Sequence, residues 1–163
     1  RIMQQACGEL AAYAATMGVQ FAVETGPEPA QTLYQFLESI PSKGIAVNLD
    51  PANLVMVTGE NPVEAVHILK PYIVHTHAKD GIMLKKTDPR IIYDFFAAGG
   101  IGDLRLNDYF AELPLGQGQV DFPLYLQALQ NCGYRGYLTI EREVGDTPFL
   151  DIKLAVDFLK SLF

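Results

Sequence analysis

Two histidines stand two residues apart in the run Ile73-Val74-His75-Thr76-His77-Ala78, immediately before Lys79 and Asp80. The run reads as a short strand, and residues two apart on a strand share a face. Imidazole nitrogens at a strand end are placed to hold a metal or to polarise a bound group. Three further strand-like runs close on a carboxylate: Phe21-Ala22-Val23-Glu24, Ile45-Ala46-Val47-Asn48-Leu49-Asp50 and Leu138-Thr139-Ile140-Glu141. Glu, Asp, His and Glu at four strand ends make a donor set for one divalent cation, Mn²⁺, Mg²⁺, Co²⁺ or Zn²⁺, whereas thiolate-preferring metals find no ligands. Spacing leaves the two histidines as alternatives: His77 is nearer the strand end, and His75 lies one layer deeper, as a core residue or one standing behind the ligands. Glu141 and Glu143 share a face in the same way. The earlier is the better ligand candidate, and Glu143 stands behind it or at the surface. His67 falls in mid-helix on a solvated face.

These groups can meet only if the strands run parallel, with their ends gathered on one side. The hydrophobic spacing predicts that arrangement. Residues 2–17 read as a helix with Leu10, Ala14 and Met17 on one side and Gly18 as its cap. A strand over 19–23 follows, then a turn and a helix over 30–40 with Leu33, Phe36, Leu37 and Ile40 as its apolar stripe. A second strand spans 45–49. A polar loop after Asp50-Pro51-Ala52-Asn53 leads to Asn61, the cap of a helix lined by Val63, Val66 and Leu69. The third strand spans 72–76. This β-α-β-α-β order with short connections is the pattern of parallel strands with helical crossovers, and residues just after such strands converge on one ligand-binding face. Residues 80–118 break the regularity with a long aromatic-rich stretch, which we read as a lid or side wall over the site. A helix over 124–131 capped by Asp121, a strand over 136–140 and a helix over 149–162 complete the chain.

Composition narrows the function classes. With 49% hydrophobic and 19% charged residues in 163, the chain is globular and can bury a sizeable core. A net charge of −7 argues against a nucleic-acid surface, although one or two local cations could still hold a small phosphorylated ligand. No apolar run of membrane-spanning length and no signal segment is present, so neither a membrane nor a nucleic-acid partner is expected. Two cysteines, Cys7 and Cys132, without metal-binding spacing, fit plain thiols in a reducing compartment, and a cytoplasmic location is expected.

Taken together, Glu24-Thr25-Gly26, Asp50-Pro51-Ala52-Asn53, His75-Thr76-His77-Ala78-Lys79-Asp80, Gly116-Gln117-Gly118-Gln119-Val120-Asp121-Phe122 and Glu141-Arg142-Glu143 resemble the sugar phosphate isomerase/epimerase family. These are xylose isomerase-like TIM barrels that include ketose 3-epimerases, inosose dehydratases and apurinic endonucleases. The resemblance implies an α/β fold of the (β/α)8 TIM-barrel type, with this chain covering about strands five to eight as a single domain, residues 1–163, that lacks its amino-terminal half. Truncation of a longer protein is the preferred explanation; a split partner or a homo-oligomer completing the barrel are the others. The family's ligand pattern maps onto Glu24, Asp50, His77 and Glu141, holding one divalent metal.

The activity so implied is a metal-dependent isomerase or epimerase acting on a small-molecule sugar or sugar phosphate. Proton abstraction next to a carbonyl would give a metal-stabilised enediolate, with Glu24 and Glu141 as catalytic acid and base. His75, Asn53 and Lys79 are the candidate substrate contacts, although for Lys79 a salt bridge with Asp80 is the stronger expectation. Arg142 should pack among the outer helices. An inosose-type dehydratase and a non-catalytic metal-binding relative are the alternatives. The sequence departs from the family at Asn53, where epimerases often carry a histidine. No histidine follows His77, so the three-metal site of the nuclease branch cannot be assembled.

Overall fold

The computed structural model describes residues 1–163. Four strands, Phe21–Glu24 (β1), Ile45–Leu49 (β2), Ile73–Ala78 (β3) and Leu138–Ile140 (β6), form one parallel sheet in the spatial order β1-β2-β3-β6. Helices α1 (Ile2–Thr16), α2 (Ala30–Glu38), α4 (Pro62–Leu69), α6 (Phe122–Asn131) and α7 (Pro148–Lys160) lie before, between and after them. A single turn, α3 (Pro51–Asn53), follows β2. Between β3 and α6 the chain forms an antiparallel hairpin, β4 (Asp80–Met83) and β5 (Phe110–Leu113), enclosing helix α5 (Pro89–Ala98). No helix is long and apolar enough to cross a membrane.

The period of two along the strands separates the sheet's faces. Ile45, Val47 and Leu49 of β2 point into a core shared with Leu33 and Leu37 of α2, Val66 and Leu69 of α4, and Phe122, Tyr125 and Leu129 of α6. Truncating any of the fully buried leucines to alanine would cost about 2–5 kcal/mol. Thr76 faces the same way, donating to Leu49 O at 2.8 Å and meeting the Tyr125 hydroxyl at 2.6 Å. Asn48, His75 and His77 lie on the opposite face. Parallel register sets Asn48 beside Glu24 and His75.

Caps stop and start the helices where the sequence placed them. Asn61 accepts from Val63 N at 2.9 Å, Asp121 from Leu124 N at 3.1 Å, and Gly18 ends α1 at φ +69°.

Two expectations are corrected. On α1 the inward residues are Ala11 and Ala14, whereas Leu10 and Met17 are exposed at 49% and 62%. Small side chains are needed because the helix lies hard on the sheet edge: a Cβ at Gly44 would collide with Ala11 O. The stretch after Asn53 is no polar loop. Leu54–Thr58 is a π-helical turn with Leu54, Val55, Met56 and Val57 all buried, closed by Gly59 at φ +73°.

Candidate metal centre

Each of the four strand ends delivers one side chain to the same corner. Glu24 is the last residue of β1, Asp50 follows β2, His77 is the penultimate residue of β3, and Glu141 follows β6. One ligand atom from each of these four lies within 4.8 Å of the corresponding atom in every other. His77 Nδ1 is 3.1 Å from Asp50 Oδ2, 3.1 Å from Glu141 Oε2 and 3.7 Å from Glu24 Oε1.

Local structure fixes Asp50 most firmly. Its Oδ1 accepts from Ala52 N at 2.8 Å and Asn53 N at 3.0 Å, capping α3, which leaves Oδ2 for the site. Thr25 Oγ1 donates to Asp50 O at 2.9 Å and accepts from Asp50 N at 2.8 Å, pinning the ends of β1 and β2 together. The Asp50 side chain is fully buried, whereas that of Glu24 is 44% exposed.

The electrostatics are those of too many carboxylates around one imidazole. The hydrogen bond to Asp50 raises the His77 pKa against the opposing effect of burial, and the charges of Asp50, Glu141 and Glu24 add to the rise. Burial raises the Glu24 carboxyl, the His77 charge opposes this, and Asp50 and Glu141 reinforce it. Three carboxylates and one imidazole, each with a converging lone pair, suit a hard or intermediate divalent cation.

The surroundings fit the same conclusion. Asn48 Nδ2 lies 3.1 Å from His77 Nε2, while Asn48 Oδ1 is buried with no partner. The same Nδ2 donates to Glu24 Oε2 at 3.4 Å, so Asn48 ties His77 to Glu24 and fixes the orientation of the imidazole.

The remaining candidates are placed as follows. Asn53 Nδ2 donates to Glu24 Oε1 at 3.2 Å and Thr25 O at 3.1 Å. His75 stacks edge-on to His77 with ring centres 5.9 Å apart, but its Nε2 is engaged by Thr139 Oγ1 at 2.9 Å and it does not line the cavity. His67 is exposed, as expected.

Lys79 does not pair with Asp80. Its Nζ lies 3.0 Å from Glu141 Oε2, against Glu143 Oε2, and 3.8 Å from Glu112 Oε2. Consecutive residues project to opposite sides of an extended chain, which separates Lys79 from Asp80. Burial alone would depress the Lys79 ammonium, but Glu143, Asp50 and Glu141 together hold it above its ordinary value. Arg142 does reach an outer helix, through Asp151 of α7 at 2.8 Å, and it also binds Glu112 of β5 at 2.8 Å.

A cavity of about 510 Å³ opens beside the His77 cluster, with Glu24, Asn53, Lys79 and Glu141 on its polar side. Residues 80–118 form its other side through Ile92, Tyr93, Phe96, Leu106, Phe110 and Glu112. Glu112 carried no signal in the sequence and Tyr93 only that of an aromatic-rich stretch read as a side wall; β5 and α5 bring them to the site.

A family comparison decides the wider assignment. Residues 1–162 match the family described as xylose isomerase-like TIM barrel. The chain belongs to that family. Its fold is accordingly a xylose isomerase-like TIM-barrel fold, α/β, with the four parallel strands forming part of a barrel.

Among solved structures, it is similar to a xylose isomerase domain protein from Planctomyces limnophilus, with a TM-score of 0.77 and 30% identity over 98% of this chain and 52% of that one. It is also similar to a xylose isomerase-like TIM barrel protein from Mycobacterium smegmatis in complex with magnesium (TM-score 0.71, 21% identity, 99% and 49% covered). A D-tagatose 3-epimerase-like protein aligns with a TM-score of 0.68 at 20% identity, over 98% and 52%. The chain thus spans about half the length of the structures it matches. No curated protein sequence matches it.

Proposed function

We propose that this chain carries the metal-holding side of the active site of a sugar isomerase or epimerase. The observation that supports this reading is the placement of Glu24 and Glu141 at opposite ends of the four-stranded sheet, with Asp50 and His77 between them and a cavity in front. Family membership agrees with it. A divalent cation, Mn²⁺, Mg²⁺, Co²⁺ or Zn²⁺, held by Glu24, Asp50, His77 and Glu141, would supply Lewis acidity to the carbonyl and neighbouring hydroxyl of a hydroxyketone.

The chain's own residues then have distinct tasks. Glu24 Oε and Glu141 Oε are the proton-accepting and proton-returning atoms on the two sides of the bound carbon, so a proton removed by one and returned by the other inverts a centre. Lys79 and Asn53 orient these carboxylates, through Glu141 and Glu24 respectively. Aromatic and aliphatic side chains of residues 80–118 exclude water from one side of the cavity.

The test is incubation with metal and ketoses in D₂O, following deuterium incorporation and product identity by NMR. It is run on the chain alone and on the chain supplied with a complementary (β/α)4 half. Deuterium at the carbon next to the carbonyl together with an epimer supports the reading, and Glu24→Gln or Glu141→Gln should abolish both. Loss of water instead of epimer formation would point to a dehydratase. Metal binding with no exchange on any ketose would leave a non-catalytic relative.

A further inference from the structure

Sugars are bound either free or as phosphate esters, and the two need opposite electrostatics. A phosphate is held by unpaired ammonium or guanidinium groups, or by a cradle of free backbone N–H groups in a glycine-rich loop or at a helix start. Here the cation lining the cavity, the neighbouring Arg142 and the glycine-rich loop are already closed on the chain's own carboxylates.

Lys79 is the one cation lining the cavity. Its side chain is 4% exposed and surrounded by Glu141, Glu143 and Glu112. Arg142, next to the ligand Glu141, is held by Glu112 and Asp151. The glycine-rich loop at 116–119 does gather N–H groups as an anion cradle would. Gly116 N and Gly118 N donate to Asp80 Oδ2 at 3.0 and 2.9 Å, and Gly81 N and Val120 N donate to Asp80 Oδ1 at 2.8 and 3.1 Å. Asp80 is 1% exposed, and a Cβ at Gly118 would strike it, so the cradle is built around that carboxylate.

(β/α)8 barrels frequently hold phosphate in the loops after their last two strands. The segment after β6 instead carries Glu143, Asp146 and Asp151, of which Glu143 lines the cavity, and the start of α7, which has no side-chain cap, lies outside the cavity lining. The groups left free in the cavity are neutral: the Asn107 amide, the Tyr93 hydroxyl and an apolar side made by Ile92, Phe96 and Phe110. Burial and the nearby carboxylates push the Tyr93 hydroxyl up to about 12, so it stays a neutral donor.

We propose that the ligand of this site is an uncharged polyhydroxylated carbonyl compound, a free sugar or keto-polyol, and that the carboxylates closing Lys79 and the glycine-rich loop exclude phosphate esters. This deepens, and rests on, the isomerase or epimerase reading. The apolar side suits the C–H face of such a molecule, while Tyr93 and Asn107 suit its hydroxyls.

The experiment compares D-fructose and D-xylulose with D-fructose 6-phosphate and D-xylulose 5-phosphate on the Mg²⁺-loaded chain, using titration calorimetry and saturation-transfer NMR. Inorganic phosphate serves as the control for direct capture of an anion by the metal. The free ketoses should bind, with each ester at least about tenfold weaker than its parent because its charge meets no free cation and lies beside the carboxylates already gathered around Lys79. Glu143→Gln should narrow that gap about threefold, the scale of one partly exposed charge. An ester that binds as tightly as its parent, or no binding by either free ketose, overturns the proposal.

The two readings fail separately. A free ketose bound but neither exchanged nor epimerised removes the activity and keeps the ligand class. An ester that is bound and epimerised keeps the activity and removes the ligand class.

Discussion

The cluster around His77 and the cluster around Arg142 both gather carboxylates at the carboxy-terminal end of the sheet, but the second sets a permanently charged guanidinium against two of them and the first a single imidazole against three. Arg142 lies between Glu112 and Asp151 with good hydrogen-bond geometry, and Glu112 also accepts from the Glu143 N–H at 3.0 Å. That cluster is complete as it stands, and it ties the hairpin β4–β5 to α7. Around His77, Glu24, Asp50 and Glu141 face a single imidazole. Lys79 bridges the two clusters through Glu141 and Glu112. The difference separates a structural tie, satisfied by the chain, from the site that we propose is satisfied by a cation from outside it.

The comparison can be broken most sharply at Arg142. Arg142→Met leaves Asp151 without its partner and Glu112 with only Lys79 and backbone N–H groups, and we expect a loss of about 3 kcal/mol of stability in urea denaturation with or without metal. A change below about 1 kcal/mol would show that the second cluster is no structural tie.

The next largest effect belongs to the metal itself. A divalent cation at 100 times its dissociation constant should stabilise the wild-type chain by about 2.7 kcal/mol. Asp50→Asn keeps the acceptor that caps Ala52 and Asn53, so it should abolish this gain while changing the metal-free stability by under about 1 kcal/mol. Thermal unfolding with and without MnCl₂ reads both quantities. An equal metal-dependent gain in the variant would remove Asp50 from the ligand set.

The pH dependence sharpens the contrast further. His77 titrates above its ordinary 6.5 and Glu24 above its ordinary 4.5, so in the metal-free protein both bind protons more tightly folded than unfolded. Their contribution to stability is therefore present at low pH. The Glu24 part begins to fade above 4.5 and the His77 part above 6.5, each being lost as pH passes through its raised folded-state value. A cation needs both groups deprotonated, so the metal-dependent gain should grow over the same window. Unfolding of wild type and His77→Phe across this range, each with EDTA or with Mn²⁺, isolates the contribution. A wild-type advantage in EDTA that grows with pH would contradict it.

The smallest effect separates the two histidines. His75→Leu loses a hydrogen bond to Thr139, about 1 kcal/mol or less, and should retain metal at the wild-type ratio. His77→Leu should lose it.

Much of this site was legible because strand ends and helix caps are local chemistry. The alternation in Ile45 to Asp50, the caps Asn61 and Asp121 and the paired histidines each state their position within a few residues of sequence. What was not legible depends on contacts far along the chain. Lys79 finds Glu112, Glu141 and Glu143 instead of its neighbour Asp80, because β5, some thirty residues later, and the segment after β6 close over it. Asp80 in turn serves the loop at Gly116 and Gly118. The run Leu54-Val55-Met56-Val57 reads as loop because its period matches neither strand nor regular helix. A π-helical turn has its own spacing, set here by the Asp50 cap upstream and Gly59 downstream. The buried side of α1 was misjudged because close packing at Gly44 selects alanines over larger side chains.

The central claim is that four strand ends hold one divalent cation, and its most direct test is elemental analysis of the purified chain after dialysis, alongside Glu141→Gln. The account predicts about one Mn, Mg, Co or Zn per wild-type chain and a substoichiometric amount in the variant. A wild-type chain that emerges free of metal after exposure to all four cations, or a variant that retains as much as wild type, would contradict it.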